Sequence, residues 1–96
     1  MEYIFVRLED LLRVRHLITC FTQEKPADFC GLTDCHDFWE MVYLRSGDML
    51  YREEERHGEM HPGDVIFHAP NMPHSLEGTG EQPFSFFIIT FVCNSP

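Results

Sequence analysis

Apolar residues in this chain come in short runs, broken about every ten residues by Gly, Pro or clustered charge. That rhythm predicts an antiparallel sandwich or barrel. Strands are expected over residues 3–8, 16–22, 39–45, 49–53, 58–61, 64–68 and 84–92. Leu8, Leu11 and Leu12 have helical spacing, but in a segment too short for a stable helix, so a turn or single coil is expected there. Pro62-Gly63 suits a type II turn, with Pro fixing φ and Gly accepting φ > 0. The charged stretch from Arg52 to Gly58 reads as a solvated hairpin end.

The last predicted strand departs from simple alternation. Its even positions (Phe84, Phe86, Ile88) and its odd ones (Phe87, Ile89, Phe91) are both apolar, whereas a sandwich strand normally wets one face. Trp39, Met41 and Tyr43 pose the same question opposite Val42 and Leu44. Such a face is covered either by loops or the N-terminal segment, or by a second subunit or further domain, and a dimer is the commonest closure.

Composition narrows the function. Ninety-six residues imply one domain, and 44% hydrophobic content with nine Phe is enough for a core. The longest apolar run, residues 84–93, falls short of the roughly 20 residues a membrane helix needs, so no membrane association is expected. Seven basic against sixteen acidic side chains give a net charge of -9, which opposes nucleic acid; Lys25 is the sole lysine and the arginines are scattered. The four cysteines form no CxxC pair, and the start lacks a signal-peptide pattern, so reduced thiols in a cytoplasmic protein are expected. Cys35 is expected to be half-buried.

The candidate chemistry is a set of histidines and carboxylates. Asp34, His36 and Glu40 fall in Asp34-Cys35-His36-Asp37-Phe38-Trp39-Glu40, with Gly47 beyond, and His74 ends Pro70-Asn71-Met72-Pro73-His74. Two imidazoles and a carboxylate are also the facial triad of non-haem iron. On a straight strand, positions i and i+4 lie roughly 13 Å apart, so His36 and Glu40 meet only across a bend. The alternative is a buried hydrogen-bond network in which these side chains satisfy one another without an ion. Trp39, Tyr43, Phe67 and Phe86 are candidates for the aromatic wall of a ligand pocket. His68 reads as a strand-end residue near the mouth, and His16, His57 and His61 as surface positions.

These segments resemble the two signature motifs of the cupin superfamily. His36 matches the second His of the first motif, Glu40 its Glu and Gly47 its Gly, while Asp34 occupies the first His position. Gly63, Pro70 and His74 match the second motif, with Met72 in place of its last Gly and the His one place early. The Pro-x-x-Pro-His loop, the run from His36 to Leu44 and Pro62-Gly63-Asp64-Val65-Ile66-Phe67 are similar to the sensor domains of AraC/XylS-type transcription regulators.

The resemblance covers residues 34–92, after an N-terminal segment and first strands over 1–33. It implies an all-β double-stranded β-helix, an antiparallel barrel or jelly roll. It implies a non-enzymatic sensing and dimerisation domain whose cavity, around His36, Glu40 and His74, takes a small effector such as a sugar. DNA would be bound only by a C-terminal helix-turn-helix region, which this sequence lacks. The competing expectation is a stand-alone metal-dependent cupin enzyme, a dioxygenase or isomerase, with Asp34, His36, Glu40 and His74 holding Zn, Mn, Fe or Ni. A third is a ligand-free barrel that only dimerises.

Overall fold

The structure, a computed structural model, describes residues 13–94, and their side chains from 17 to 92. The strand expected over 3–8 and the turn around Leu8 lie outside that range, as does the side chain of His16. Seven strands follow in order: β1 (Arg13–Lys25), β2 (Trp39–Ser46), β3 (Met49–Glu53), β4 (Arg56–Met60), β5 (Val65–His68), β6 (His74–Gly78) and β7 (Phe84–Asn94). They form a four-stranded sheet, β1-β7-β2-β5, and a three-stranded sheet, β4-β3-β6, all pairs antiparallel. The fold is the cupin jelly roll. Among the described residues no helix is long and apolar enough to cross a membrane.

β6 was not expected. His74-Ser75-Leu76-Glu77-Gly78 has one large apolar residue and reads as loop, yet it pairs with β3 from Glu53↔His74 to Met49↔Gly78. Long-range pairing overrides its weak local preference. Elsewhere boundaries shift by a few residues. Gly63 takes φ +97° and the Asp64 amide donates to the His61 carbonyl at 2.9 Å, as a turn at Pro62-Gly63 requires.

Register sorts the two apolar sides of β2 and β7. Pairing of Val42 with Ile88 and of Leu44 with Phe86 sends these residues inward, where they join Met49, Met60 and Phe84 in the core. The odd positions face outward in cross-strand rows: Val65–Tyr43–Phe87 and Phe67–Met41–Ile89. One inward row is polar. It runs Thr19–Thr90–Glu40–His68 across β1, β7, β2 and β5, and the opposing sheet answers with the pair Glu53↔His74. The candidate histidines and carboxylates gather in that layer.

Candidate functional site

Three backbone hydrogen bonds stitch the two motif segments together. The Asp34 amide donates to the His74 carbonyl at 2.8 Å, the His74 amide returns to Asp34 at 3.0 Å, and the Asn71 amide donates to the His36 carbonyl at 2.7 Å. Asn71 adopts φ +63°, which Asn tolerates better than most residues. That turn delivers His74 to the layer containing Glu40.

Glu40 is the centre of the site. Its side chain is buried, with Oε1 3.4 Å from His36 Nε2 and Oε2 3.2 Å from His74 Nε2. The other nitrogen of each ring is committed: Nδ1 of His36 lies 2.9 Å from the Phe38 carbonyl and Nδ1 of His74 lies 2.9 Å from the Met72 carbonyl. A carbonyl oxygen only accepts, so both Nδ1 atoms carry protons. Each Nε2 therefore presents Glu40 with a second proton or a lone pair. Two lone pairs facing a carboxylate repel it, so the arrangement calls for positive charge between them, as imidazolium or as a cation.

The electrostatics fit the first of these. Burial acts to lower the His74 pKa, but the Glu40 hydrogen bond and the Met72 carbonyl outweigh it and raise it. Burial acts to raise that of Glu40, yet the His74 bond and the charges of His74, His68 and His36 hold it below the ordinary carboxylate value. The donor set fits the second. Ligand atoms about 2.0–2.2 Å from one ion lie roughly 3.0–3.5 Å from each other, which the 3.2 Å between Glu40 Oε2 and His74 Nε2 matches, while His36 faces the other carboxylate oxygen at 3.4 Å. Asp34, His36 and His74 also offer one ligand atom each within 4.8 Å of one another.

His68 is a correction to the sequence reading. It is not at the mouth but 1% exposed, with Nδ1 2.6 Å from Glu53 Oε2 and its ring stacked on His74 at 4.1 Å and 7°. Burial lowers its pKa despite the Glu53 bond. Glu40, His68 and His74 form a second group with ligand atoms within 4.8 Å, but two parallel rings cannot both aim their lone pairs at one ion. His68 therefore supports the His74 ring. Glu53, read as part of a solvated hairpin, is buried instead. The missed signal was parity: His68 shares the inward face with Ile66, and Glu53 with Met49. His57 and His61 are exposed as expected, whereas Cys35 is exposed rather than half-buried.

A cavity of about 200 Å³ opens on this centre, lined by Asp34, Glu40 and His74 and walled by Phe29, Leu76, Phe86 and Ile88. Phe86 is thus the one expected aromatic that reaches it. Trp39, Tyr43 and Phe67 do not, because they are odd neighbours of inward residues and face the other side of the sheet. Trp39 stacks on Phe91, and Phe67 borders a separate cavity of about 420 Å³ between β3, β4 and β5. That larger hollow carries Glu53, Glu59, Asp64 and Arg56 but has no convergent pair comparable to Glu40 and His74. The smaller one is the better candidate.

A family model for the AraC-like ligand binding domain matches residues 16–94. The chain belongs to that family. No curated protein matches its sequence significantly. Among solved structures, this AraC-like domain is similar to a predicted oxalate decarboxylase from Thermotoga maritima (TM-score 0.75, 19% identity, 79% of this chain and 67% of that one). It is similar to a DMSP lyase from Ruegeria pomeroyi (TM-score 0.70, 20% identity, 85% and 39%). A third likeness is to the cupin domain of an XRE family transcriptional regulator from Enterobacter cloacae (TM-score 0.66, 15% identity, 74% and 77%). At these identities the likeness is one of fold. The AraC-like domain spans about two-thirds of the decarboxylase and two-fifths of the lyase.

Proposed function

We propose that this domain senses a small organic effector, held in the hollow bounded by Glu40, His74 and Phe86. The observation that carries the reading is the make-up of one cavity: the carboxylates of Asp34 and Glu40 and the imidazole of His74 share its lining with Phe29, Leu76, Phe86 and Ile88. A few convergent polar groups on an apolar wall suit a small metabolite. At about 200 Å³ the hollow lies below the common range of roughly 300–1,000 Å³, so the effector is small, of the order of a single sugar ring. Its hydroxyl groups would meet Glu40 and His74. In a full-length cytoplasmic regulator, occupancy would be passed to a DNA-binding half by favouring one of two arrangements.

A divalent ion is compatible with this reading. Asp34, His36, Glu40 and His74 would hold it, and it would supply a Lewis-acidic anchor for an effector oxygen. The same convergence favours a second reading, a metal-dependent cupin enzyme. Calorimetric titration with monosaccharides and small polyols, paired with metal analysis of the purified protein, separates the two. Saturable binding that Glu40→Gln and Phe86→Trp both abolish is the expected result. Stoichiometric metal with no binding of any polyol would favour the enzyme.

A further inference from the structure

We propose that the hollow between β4 and β5 is a second binding site, which takes a basic α-amino acid. Among the described residues β4 and β5 each end a sheet and are hydrogen-bonded along one edge only, so the two layers part at this seam. The opening holds about 420 Å³, within the roughly 300–1,000 Å³ common for small-molecule sites. Val65, Ile66 and Phe67 form its β5 wall and Tyr51 part of the other. Gly58 leaves space for the Tyr51 ring, since a Cβ there would lie 2.8 Å from the Tyr51 hydroxyl oxygen. The reading does not rest on the effector cavity, whose lining shares no residue with this hollow.

The charged groups around the hollow differ in what they have left to give. Glu53 is 7% exposed. Its Oε2 lies 2.6 Å from His68 Nδ1, while Oε1 has no hydrogen-bond partner among the described residues. No sealed side-chain oxygen or nitrogen lacks a partner among them, so Oε1 opens on the hollow. A carboxylate this far from bulk water, with one oxygen unspent, calls for a cationic donor. Arg56 lies opposite Glu53 in the β3–β4 register but makes no ion pair among the described residues. Its planar fork is therefore open to a carboxylate. Glu59, three residues along β4, adds a second acid to the lining, whereas Asp64 is already spent on the His61 amide at 2.9 Å. Two carboxylates and one guanidinium beside an apolar wall complement a molecule with two cationic groups, one carboxylate and an aliphatic stem. A basic α-amino acid has that make-up. A diamine would leave Arg56 without a partner, and a neutral amino acid would leave a carboxylate without one.

Calorimetric titration of the wild-type domain with L-arginine and L-lysine tests this, at about 0.15 M ionic strength to screen the acidic surface at large. The expected result is saturable one-to-one binding, at least about tenfold tighter than that of putrescine or L-glutamine. Arg56→Gln should weaken the amino acids by about tenfold or more and putrescine not at all, while Glu59→Gln should weaken both. Both of these side chains are exposed, so thermal midpoints should stay near wild type. Glu24→Gln, on β1 at the opposite edge of the four-stranded sheet, should leave binding unchanged. Failure of both amino acids to bind at millimolar concentration would overturn the proposal. So would binding that Arg56→Gln leaves intact, or an equal affinity for putrescine. A loss in Glu24→Gln as large as in Glu59→Gln would overturn it too, by showing attraction to the acidic surface as a whole.

Discussion

Every imidazole in the buried layer is held by a partner that fixes which nitrogen is protonated. For His36 and His74 the partner is a backbone carbonyl, and for His68 it is the Glu53 carboxylate at 2.6 Å. Removing Glu53 strands the His68 N–H in the interior. Glu53→Ala is therefore expected to cost about 2–3 kcal/mol, against less than about 0.5 kcal/mol for Glu55→Ala on the exposed turn. Urea unfolding of the two variants makes the comparison, and equal midpoints would show that the pair contributes nothing. Titration divides the two stacked rings. The folded pKa of His74 lies above the ordinary 6.5, so its contribution is complete below about pH 6.5 and is lost as pH rises through the raised value. The folded pKa of His68 lies below 6.5, so its contribution is present above about pH 6.5 and is lost as pH falls through the lowered value. In the presence of a chelator, His74→Asn should destabilise more at about pH 5.5 than at about pH 8.5, and His68→Asn the reverse. Thermal midpoints at the two pH values would expose either order as wrong.

At the level of elements, turns decide where the site residues arrive. Gly47, the position matching the motif glycine, takes φ +77°, and a Cβ there would lie 2.2 Å from the Pro83 carbonyl oxygen. Gly63 takes φ +97° with nothing within 4 Å of such a Cβ. Both need glycine's freedom, but only Gly47 also needs its lack of bulk. Gly63→Ala should thus cost about 1–2 kcal/mol of backbone strain, and Gly47→Ala more than about 3 kcal/mol, because backbone must move as well. Similar losses in both, measured by urea midpoints, would mean that the Pro83 approach is not what excludes a side chain. The turn at Pro62-Gly63 was legible in the sequence, as were six of the seven described strands; Gly47 was named there only as a motif glycine. β6 was not, because nothing local in His74-Ser75-Leu76-Glu77-Gly78 favours a strand and only β3 makes it one. The site was legible in part. His36, Glu40 and His74 could be named from motif spacing, whereas Trp39, Tyr43 and Phe67 were misplaced because aromatic character was weighed ahead of parity. Glu40 inward already requires Trp39 and Met41 outward. His68 and Glu53 needed the register of β5 on β2 and of β3 on β6, which no single strand contains.

At the scale of the molecule the same sheet serves two surfaces. Its inner side holds Glu40 and Phe86 against the cavity, and its outer side presents Met41 and Phe87 one residue away on the same strands. Neither apolar row carries a charged residue, so two copies bearing -9 each would repel at long range and could meet closely only through a neutral contact. Salt reaches the first effect and hardly touches the second. The Debye length falls from about 30 Å at 0.01 M ionic strength to about 8 Å at 0.15 M, so screening should remove most of the repulsion between copies carrying -9 each. Association through the neutral face should therefore tighten severalfold as sodium chloride rises over that interval. An interface held by ion pairs would weaken instead, because their attraction is screened in the same range. Sedimentation at fixed protein concentration across a salt series reads the sign directly. Dissociation on adding salt would show that charged rims hold the copies together, not the rows through Tyr43 and Phe67.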